Sequence, residues 1–244
     1  MRVFGLLGKT LKHSFSKKYF TEKFSALGLE DCRYENYELP GISALPELLA
    51  NNPQLEGLNV TIPYKEDVLP YLNYSSDIVK EIKACNCIKI VDGKLHGHNT
   101  DVPGFKQSLE KHLKPHHSRA LILGTGGAAK AVQYALKSLG IPYQYVSRFK
   151  KEDAIGYNEI DQYIFAVNNI IINTSPVGMY PQVNDEPPLP YQFITNKHLL
   201  FDLIYNPPKT KFLKKGEEKG ASISNGEEML VLQAEESWRI WNEL

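Results

Sequence analysis

Short apolar runs alternate with stretches of helical periodicity along almost the whole chain, a rhythm that predicts an α/β fold built mainly on parallel strands. In the first hundred residues VFGLL (3–7), RYENYEL (33–39) and LEGLNVT (55–61) read as strands. Residues 16–27 read as a helix: Phe20, Phe24 and Leu27 share a face, Ser16 stands as the N-cap and Gly28 as the stop. In CNCIKIVDGKLHGHNTD the dipeptide Asp92-Gly93 lies between two alternating arms and predicts a two-residue hairpin turn. Such a turn pairs Asn86 with Asn99 and sets both on the face shared by Asp101. From residue 118 a second pattern runs: strand RALILG, a glycine turn, a helix to Gly140, strand YQYVS, strands NIIINT and LLFDLIY, and a closing helix over 227–242. The basic stretch KHLKPHHSR (111–119) separates the halves, and a domain boundary is expected near it. Crevices between such halves are where small-molecule sites tend to form.

Length and charge narrow the function classes. A chain of 244 residues suits two modest domains with real cores. With 28 basic and 28 acidic residues there is no broad positive field for nucleic acid or anionic membrane, so a small-molecule partner is expected. The N-terminal MRVFGLLGKT lacks the pattern of a cleaved leader, and no apolar stretch is long enough to span a bilayer; a cytoplasmic protein is expected. Three cysteines, Cys32, Cys85 and Cys87, are too few and of the wrong parity for a disulfide framework.

The segment LILGTGGAAKAV follows a strand and opens a helix, with Gly124, Gly126 and Ala129 at the G-x-G-x-x-G/A spacing of a Rossmann turn. The first glycine suits a tight turn, the second lets the backbone approach a pyrophosphate, and the third position packs helix on strand. Free N–H groups at the helix start complement the phosphates. The next strand ends in Ser147-Arg148, followed by Lys150 and Lys151, where an NAD site would carry Asp or Glu. A guanidinium binds a 2′-phosphate and a carboxylate repels it, so NADP is the expected cofactor.

The ordered stretches GLLGKTLKHSFS, GLNVTIPYKED, NTDVPGF, GTGGAAKAV, NTSPVGM, FDLIYNPPKT and NGEEMLVLQA make the chain resemble shikimate dehydrogenases over essentially its whole length. The resemblance implies an N-terminal α/β substrate domain, residues 1–101 completed by 227–244, and a Rossmann NADP domain over 102–226. It implies NADPH-dependent reduction of 3-dehydroshikimate by a monomer or homodimer. Carried over residue by residue, it makes Lys65 and Asp101 the catalytic pair. Ser14, Ser16, Asn59, Thr61, Asn86, Tyr205 and Gln233 become substrate ligands. Gly124, Gly126, Gly127, Ala128, Ser147, Arg148, Thr174, Leu203 and Gly226 become cofactor contacts, and no metal is implied.

These residue types suit that chemistry. A small anion dense with hydroxyls needs hydroxyl and amide side chains to satisfy the polar groups it buries. Alternation sets Asn59 and Thr61 on one strand face. Hydride delivery makes a ketone oxygen anionic, and an ammonium such as that of Lys65 stabilises it, with a neighbouring carboxylate orienting the lysine. Ordinary roles compete at each position: Ser14 and Ser16 suit helix capping, Lys65 a surface charge, Asp101 an N-cap, Gln233 a polar break in a packing face and Arg148 a solvated loop. Cys85, Cys87, His96 and His98 would share the other hairpin face as a zinc-like set, although buried packing explains the thiols more cheaply.

The chain departs from the family pattern at three places. Lys17 replaces a common proline, which loosens the helix entry expected there; Ser147 and Phe149 flank Arg148 in place of the usual neighbours; Ala84-Cys85 precedes Asn86. A relative oxidising quinate as well as shikimate with NAD(P), and a non-catalytic sensor of the same fold, are the competing readings.

Overall fold

The computed structural model describes residues 1–11, 14–149 and 152–243. Lys12 and His13 of KHSFS, together with Lys150 and Lys151, lie outside the described residues. Two compact units are present: Met1–Thr100 with Ala234–Leu244, and Asp101–Gln233.

The first unit is built on a six-stranded mixed sheet in which three of the five strand pairings are parallel. It contains β1 (Arg2–Gly8), α1 (Phe15–Ala26), β2 (Cys32–Glu38), α2 (Leu45–Asn51), β3 (Leu55–Val60), α3 (Tyr64–Asp67), β4 (Tyr74–Ser75), α4 (Asp77–Ile82), β5 (Cys87–Val91) and β6 (Lys94–His98), in sheet order β2-β1-β3-β5-β6-β4. Alternation along β1 feeds two apolar layers. Val3 and Leu7 pack with Leu58, Val60, Tyr64 and Ile88 on one side, and Phe4 and Leu6 pack with Phe20, Tyr34 and Trp241 on the other. The hairpin has the register its turn dictates: Val91 pairs with Lys94 and Cys87 with His98, with left-handed backbone at Asp92 (φ 49°) and Gly93 (φ 71°).

The hairpin faces differ from expectation beyond the paired residues. β5 begins only at Cys87, so alternation does not reach Cys85: Cys85 packs in the Leu58 layer and Cys87 in the Trp241 layer. The two thiols therefore share no face. Among the described residues no group of three or more His, Cys, Asp or Glu side chains is placed to hold a metal ion. β6 ends at His98, and Asp101 opens a helix, which removes it from the strand face assigned to it. Helix α1 also starts earlier than predicted, with Ser14 as N-cap, and Leu27 is an exposed C-cap residue and not part of the buried face.

The second unit contains α5 (Asp101–Glu110), β7 (Ala120–Leu123), α6 (Gly127–Ser138), β8 (Tyr143–Ser147), β9 (Ala154–Gly156), α7 (Gln162–Val167), β10 (Ile170–Asn173), β11 (Leu199–Asp202), α8 (Lys211–Glu218), β12 (Ser222–Ser224) and α9 (Glu227–Asn242), whose last turns belong to the first unit. Its sheet is parallel throughout in the order β12-β11-β10-β7-β8-β9, the doubly wound dinucleotide arrangement with the switch point between β7 and β10. β7, β10 and β11 are buried end to end, which is why they read as unbroken apolar runs. No helix among the described residues is long and apolar enough to cross a membrane.

Two buried ionisable groups in this unit titrate in opposite senses. His117 accepts the Lys114 N–H at 3.0 Å, and burial, then the charges of His116 and Lys114, push it down to about 4. Asp202 is fully buried, and burial raises its carboxyl to about 6 against three hydrogen bonds that favour the anion. For His117 the unfolded chain binds more protons, so its contribution is lost as pH falls from 6.5 towards 4; for Asp202 the folded chain binds more, so its contribution is lost as pH rises towards 6. The two slopes oppose each other between pH 4 and 6. Asp202→Asn is expected to steepen the rise of stability with pH by up to about 1.4 kcal/mol per unit over that window. Denaturant titrations of both proteins at pH 4.5 and 6 measure this, and identical slopes would refute the opposition.

Candidate active site

In the first unit a chain of buried hydrogen bonds links several of the polar side chains singled out by sequence. Asn59 accepts from the Tyr34 hydroxyl at 2.8 Å and donates to Ser237 Oγ at 2.8 Å and to the Asn86 carbonyl at 3.3 Å. Ser237 Oγ lies 3.3 Å from Thr100 Oγ1, which accepts from Asn86 Nδ2 at 3.0 Å; Asn86 Oδ1 takes the Thr100 backbone N–H at 2.7 Å. Ser16 lies beside Tyr34 at the far end of this chain. Burial holds the Tyr34 hydroxyl well above its ordinary pKa, so it remains a proton donor.

Ser16, Asn59 and Asn86 are thus brought together by Tyr34, Thr100 and Ser237, which sequence reading missed. The available signal was Ser237, one helical turn beyond Gln233 in α9 and flanked by residues that bury. Both amide protons of Asn59 are engaged and its side-chain oxygen accepts from Tyr34, so the side chain ties β3 to α9. Asn99 turns its amide to the Ala84 carbonyl at 3.1 Å.

Ser14 caps α1 by accepting the Lys17 N–H at 3.1 Å. A proline at 17 would have no such proton, so this departure from the family pattern secures the helix entry that it was expected to loosen. The cap uses an acceptor lone pair and leaves the Ser14 hydroxyl proton available for an anion. Thr61 follows β3, its N–H donating to Leu7 at 2.9 Å. Lys65 is half-buried in α3, where the carbonyl of Lys65 accepts from Cys85 N at 2.8 Å and the buried Tyr64 donates to the Leu39 carbonyl at 2.6 Å.

The second unit holds a cavity of about 620 Å³ at the C-terminal end of its parallel strands. The β7–α6 turn contributes Gly124, Thr125 and Gly126, the end of β8 contributes Ser147, Arg148 and Phe149, and the segment after β10 contributes residues 174–177 and 184–186. Gly124 has φ +112° and a side chain there would meet Thr174 Oγ1 at 2.9 Å, so glycine is obligatory. Side-chain carbons added at Gly126 and Gly127 would meet nothing within 4 Å. Protein packing does not demand glycine at those two positions; open space at an uncapped helix start fits a pyrophosphate. Ala129 is fully buried, as the third position of the motif requires. Arg148 is exposed, with its guanidinium carbon 5.8 Å from the centre of the Phe149 ring.

Gly127, Ala128, Leu203 and Gly226 do not line this cavity. Gly226 has a packing reason instead: a side-chain carbon there would fall on the Leu203 carbonyl, and the Gly226 N–H donates to the Ile204 carbonyl at 3.1 Å. Tyr205 follows this turn and is 41% exposed. Asp101 opens α5, and Gln233 sits half-buried on α9 against Gly104 of α5.

Asp202 fixes the cavity wall from beneath. It accepts from Thr210 Oγ1 at 2.6 Å, Ile204 N at 3.1 Å and Asn173 Nδ2 at 3.0 Å. Asn173 in turn accepts from Ser175 N at 3.1 Å and Ser175 Oγ at 2.7 Å. One buried carboxylate therefore sets both the 174–177 wall and the turn that leads to Tyr205.

Sheet order, glycine turn and cavity together define a Rossmann-type nucleotide-binding protein with a second α/β unit. Residues 6–88 match the sequence model described as the shikimate dehydrogenase substrate binding domain. The shikimate dehydrogenase (NADP(+)) of Caldicellulosiruptor saccharolyticus is 38% identical over 99% of this chain and 92% of its own length. The crystal structure of Thermus thermophilus shikimate 5-dehydrogenase with NADP(H) and shikimate superimposes with a TM-score of 0.88 at 30% identity, covering 100% of this chain and 94% of that one. That of the Listeria monocytogenes enzyme with shikimate and NAD gives 0.88 at 26% identity, covering 99% and 91%. This chain belongs to the shikimate dehydrogenase family.

Replacing Asn59 by Ala strands Tyr34 and Ser237 in the interior and is expected to cost about 3 kcal/mol of stability. Thr61→Ala should stay within about 0.5 kcal/mol. Thermal unfolding of the pair decides it: an Asn59→Ala midpoint equal to wild type would remove Asn59 from the scaffold.

Proposed function

We propose that the protein reduces 3-dehydroshikimate to shikimate with NADPH, reversibly, in the cytoplasm as a monomer or homodimer. The carrying observation is the cavity with Arg148 at the end of β8, in a chain whose full-length relatives bear the name shikimate dehydrogenase (NADP(+)). In this reading most substrate ligands come from the first unit, and the second holds the cofactor. NADPH, when bound, supplies the hydride. Gly124, Gly126 and the start of α6 hold its pyrophosphate, and Arg148 holds its 2′-phosphate.

Ser14 and Ser16 donate to the substrate carboxylate, and Thr61, Asn86, Tyr205 and Gln233 bind its hydroxyls. Asn59 acts through its hydrogen bonds to Tyr34, Asn86 and Ser237, keeping this set in place. Lys65 stabilises the negative charge that grows on the carbonyl oxygen and holds a proton for it, with Asp101 as its catalytic partner.

Adding 3-dehydroshikimate to enzyme and NADPH should consume NADPH, read by its absorbance, and no consumption would refute the activity. Lys65→Ala is expected to lower kcat by about a hundredfold or more while shikimate binds within about tenfold of wild type. Equal losses of binding and turnover would make Lys65 a simple ligand. Arg148→Ala should raise the KM for NADPH about tenfold or more and leave that for NADH little changed. A wild-type preference for NADH, or for quinate over shikimate in the reverse direction, would assign the chain to the rival reading.

A further inference from the structure

One carboxylate oxygen in the wall of the nucleotide cavity has no partner among the described residues. Glu186 lines the cavity with Arg148, Phe149 and Tyr157. Its Oε1 accepts from Lys215 Nζ, whereas its Oε2 is buried and has no hydrogen-bond partner among the described residues. A buried acceptor of this kind is costly, and native proteins seldom leave one unmatched. In the wall of a binding cavity it marks where a ligand N–H or O–H completes the site.

Position and charge choose among the donors of the dinucleotide. Arg148 takes the 2′-phosphate, and the base hangs from C1′, the carbon next to the one that bears that phosphate, so adenine falls in the same part of the cavity. Phe149 there is 74% exposed and offers a flat apolar face to a purine. Next to Glu186, the Pro187 carbonyl accepts from the Tyr191 hydroxyl at 2.9 Å. Lys215 lies 4.6 Å from the centre of the Tyr191 ring and holds the carboxylate in place. The nicotinamide carboxamide lies at the other end of the cofactor, and like charge keeps Glu186 off the phosphate.

We propose that Glu186 Oε2 accepts a hydrogen bond from the exocyclic amine of adenine while the purine lies on Phe149, so that the chain reads the base of its cofactor as well as the 2′-phosphate. This rests on the NADP reading above. Sites built around such a bond reject ligands lacking the donor, because a buried polar group is left unpaired.

Calorimetric titration with adenosine 2′,5′-bisphosphate and with inosine 2′,5′-bisphosphate, in which a carbonyl oxygen replaces the amine, tests this without any turnover. The inosine compound is expected to bind wild type at least about tenfold more weakly. In Glu186→Gln, whose amide can turn an N–H towards that carbonyl, the gap should close to within about threefold. Phe149→Ala should weaken both ligands alike by about fivefold or more. Equal affinities in wild type overturn the proposal and leave the nucleotide site standing, whereas binding of neither ligand overturns both. A gap undiminished in Glu186→Gln, with an unchanged circular dichroism spectrum, removes Glu186 from base recognition, and unchanged affinities in Phe149→Ala remove the stacking.

Discussion

The first unit depends on the docking of the last turns of α9 into its sheet. Trp241 donates its indole N–H to the Ile88 carbonyl at 3.0 Å and stacks on Phe4 at 4.8 Å between ring centres, and Ser237 receives the amide of Asn59. The apolar contacts supply most of the stabilisation, since losing a buried aromatic of this kind costs about 3–5 kcal/mol. The polar contacts supply orientation: a hydroxyl or amide buried without its partner is expensive, so β3, the hairpin and α9 have one mutual arrangement in which all their groups are satisfied. Ser16 and Asn86 receive their positions from that arrangement.

Much of this was legible where the physics is local. The Asp92-Gly93 turn fixed the hairpin register, the glycine spacing after β7 located the nucleotide turn, and unbroken apolar runs marked β7, β10 and β11 as strands buried on both faces. The misreadings share a cause, which is periodicity carried past the end of an element. Alternation extended to Cys85 fails because β5 starts at Cys87, and extended to Asp101 it fails because β6 stops at His98. Leu27 was counted on the buried face of α1 when the helix had already ended. Asn59 illustrates a different limit: its partners Tyr34 and Ser237 stand 25 and 178 residues away in sequence, and no local pattern announces a hydrogen bond over such separations.

In the second unit, chemistry and scaffold divide along the sheet. The turn after β7 leaves space and free N–H groups, the end of β8 supplies a cation, and the wall after β10 is held by Asn173 and Asp202. Burying Asp202 is tolerable only because three donors meet it, and a wall anchored to a buried charge has fewer alternative conformations than one packed by apolar contacts alone. The same division explains why Gly226, though it falls in a family motif, is glycine because the Leu203 carbonyl leaves no room for a side chain.

The route of α9 also has a consequence during synthesis. The first unit takes in residues from both ends of the sequence, so its aromatic layer around Phe4, Phe20 and Tyr34 stays uncovered until the whole of the second unit has been translated and α9 has left the ribosome. Contacts of such long sequence separation form late and slowly. The nascent amino-terminal sheet must therefore wait with an open oily face, which makes it the part of this molecule with most to gain from a chaperone.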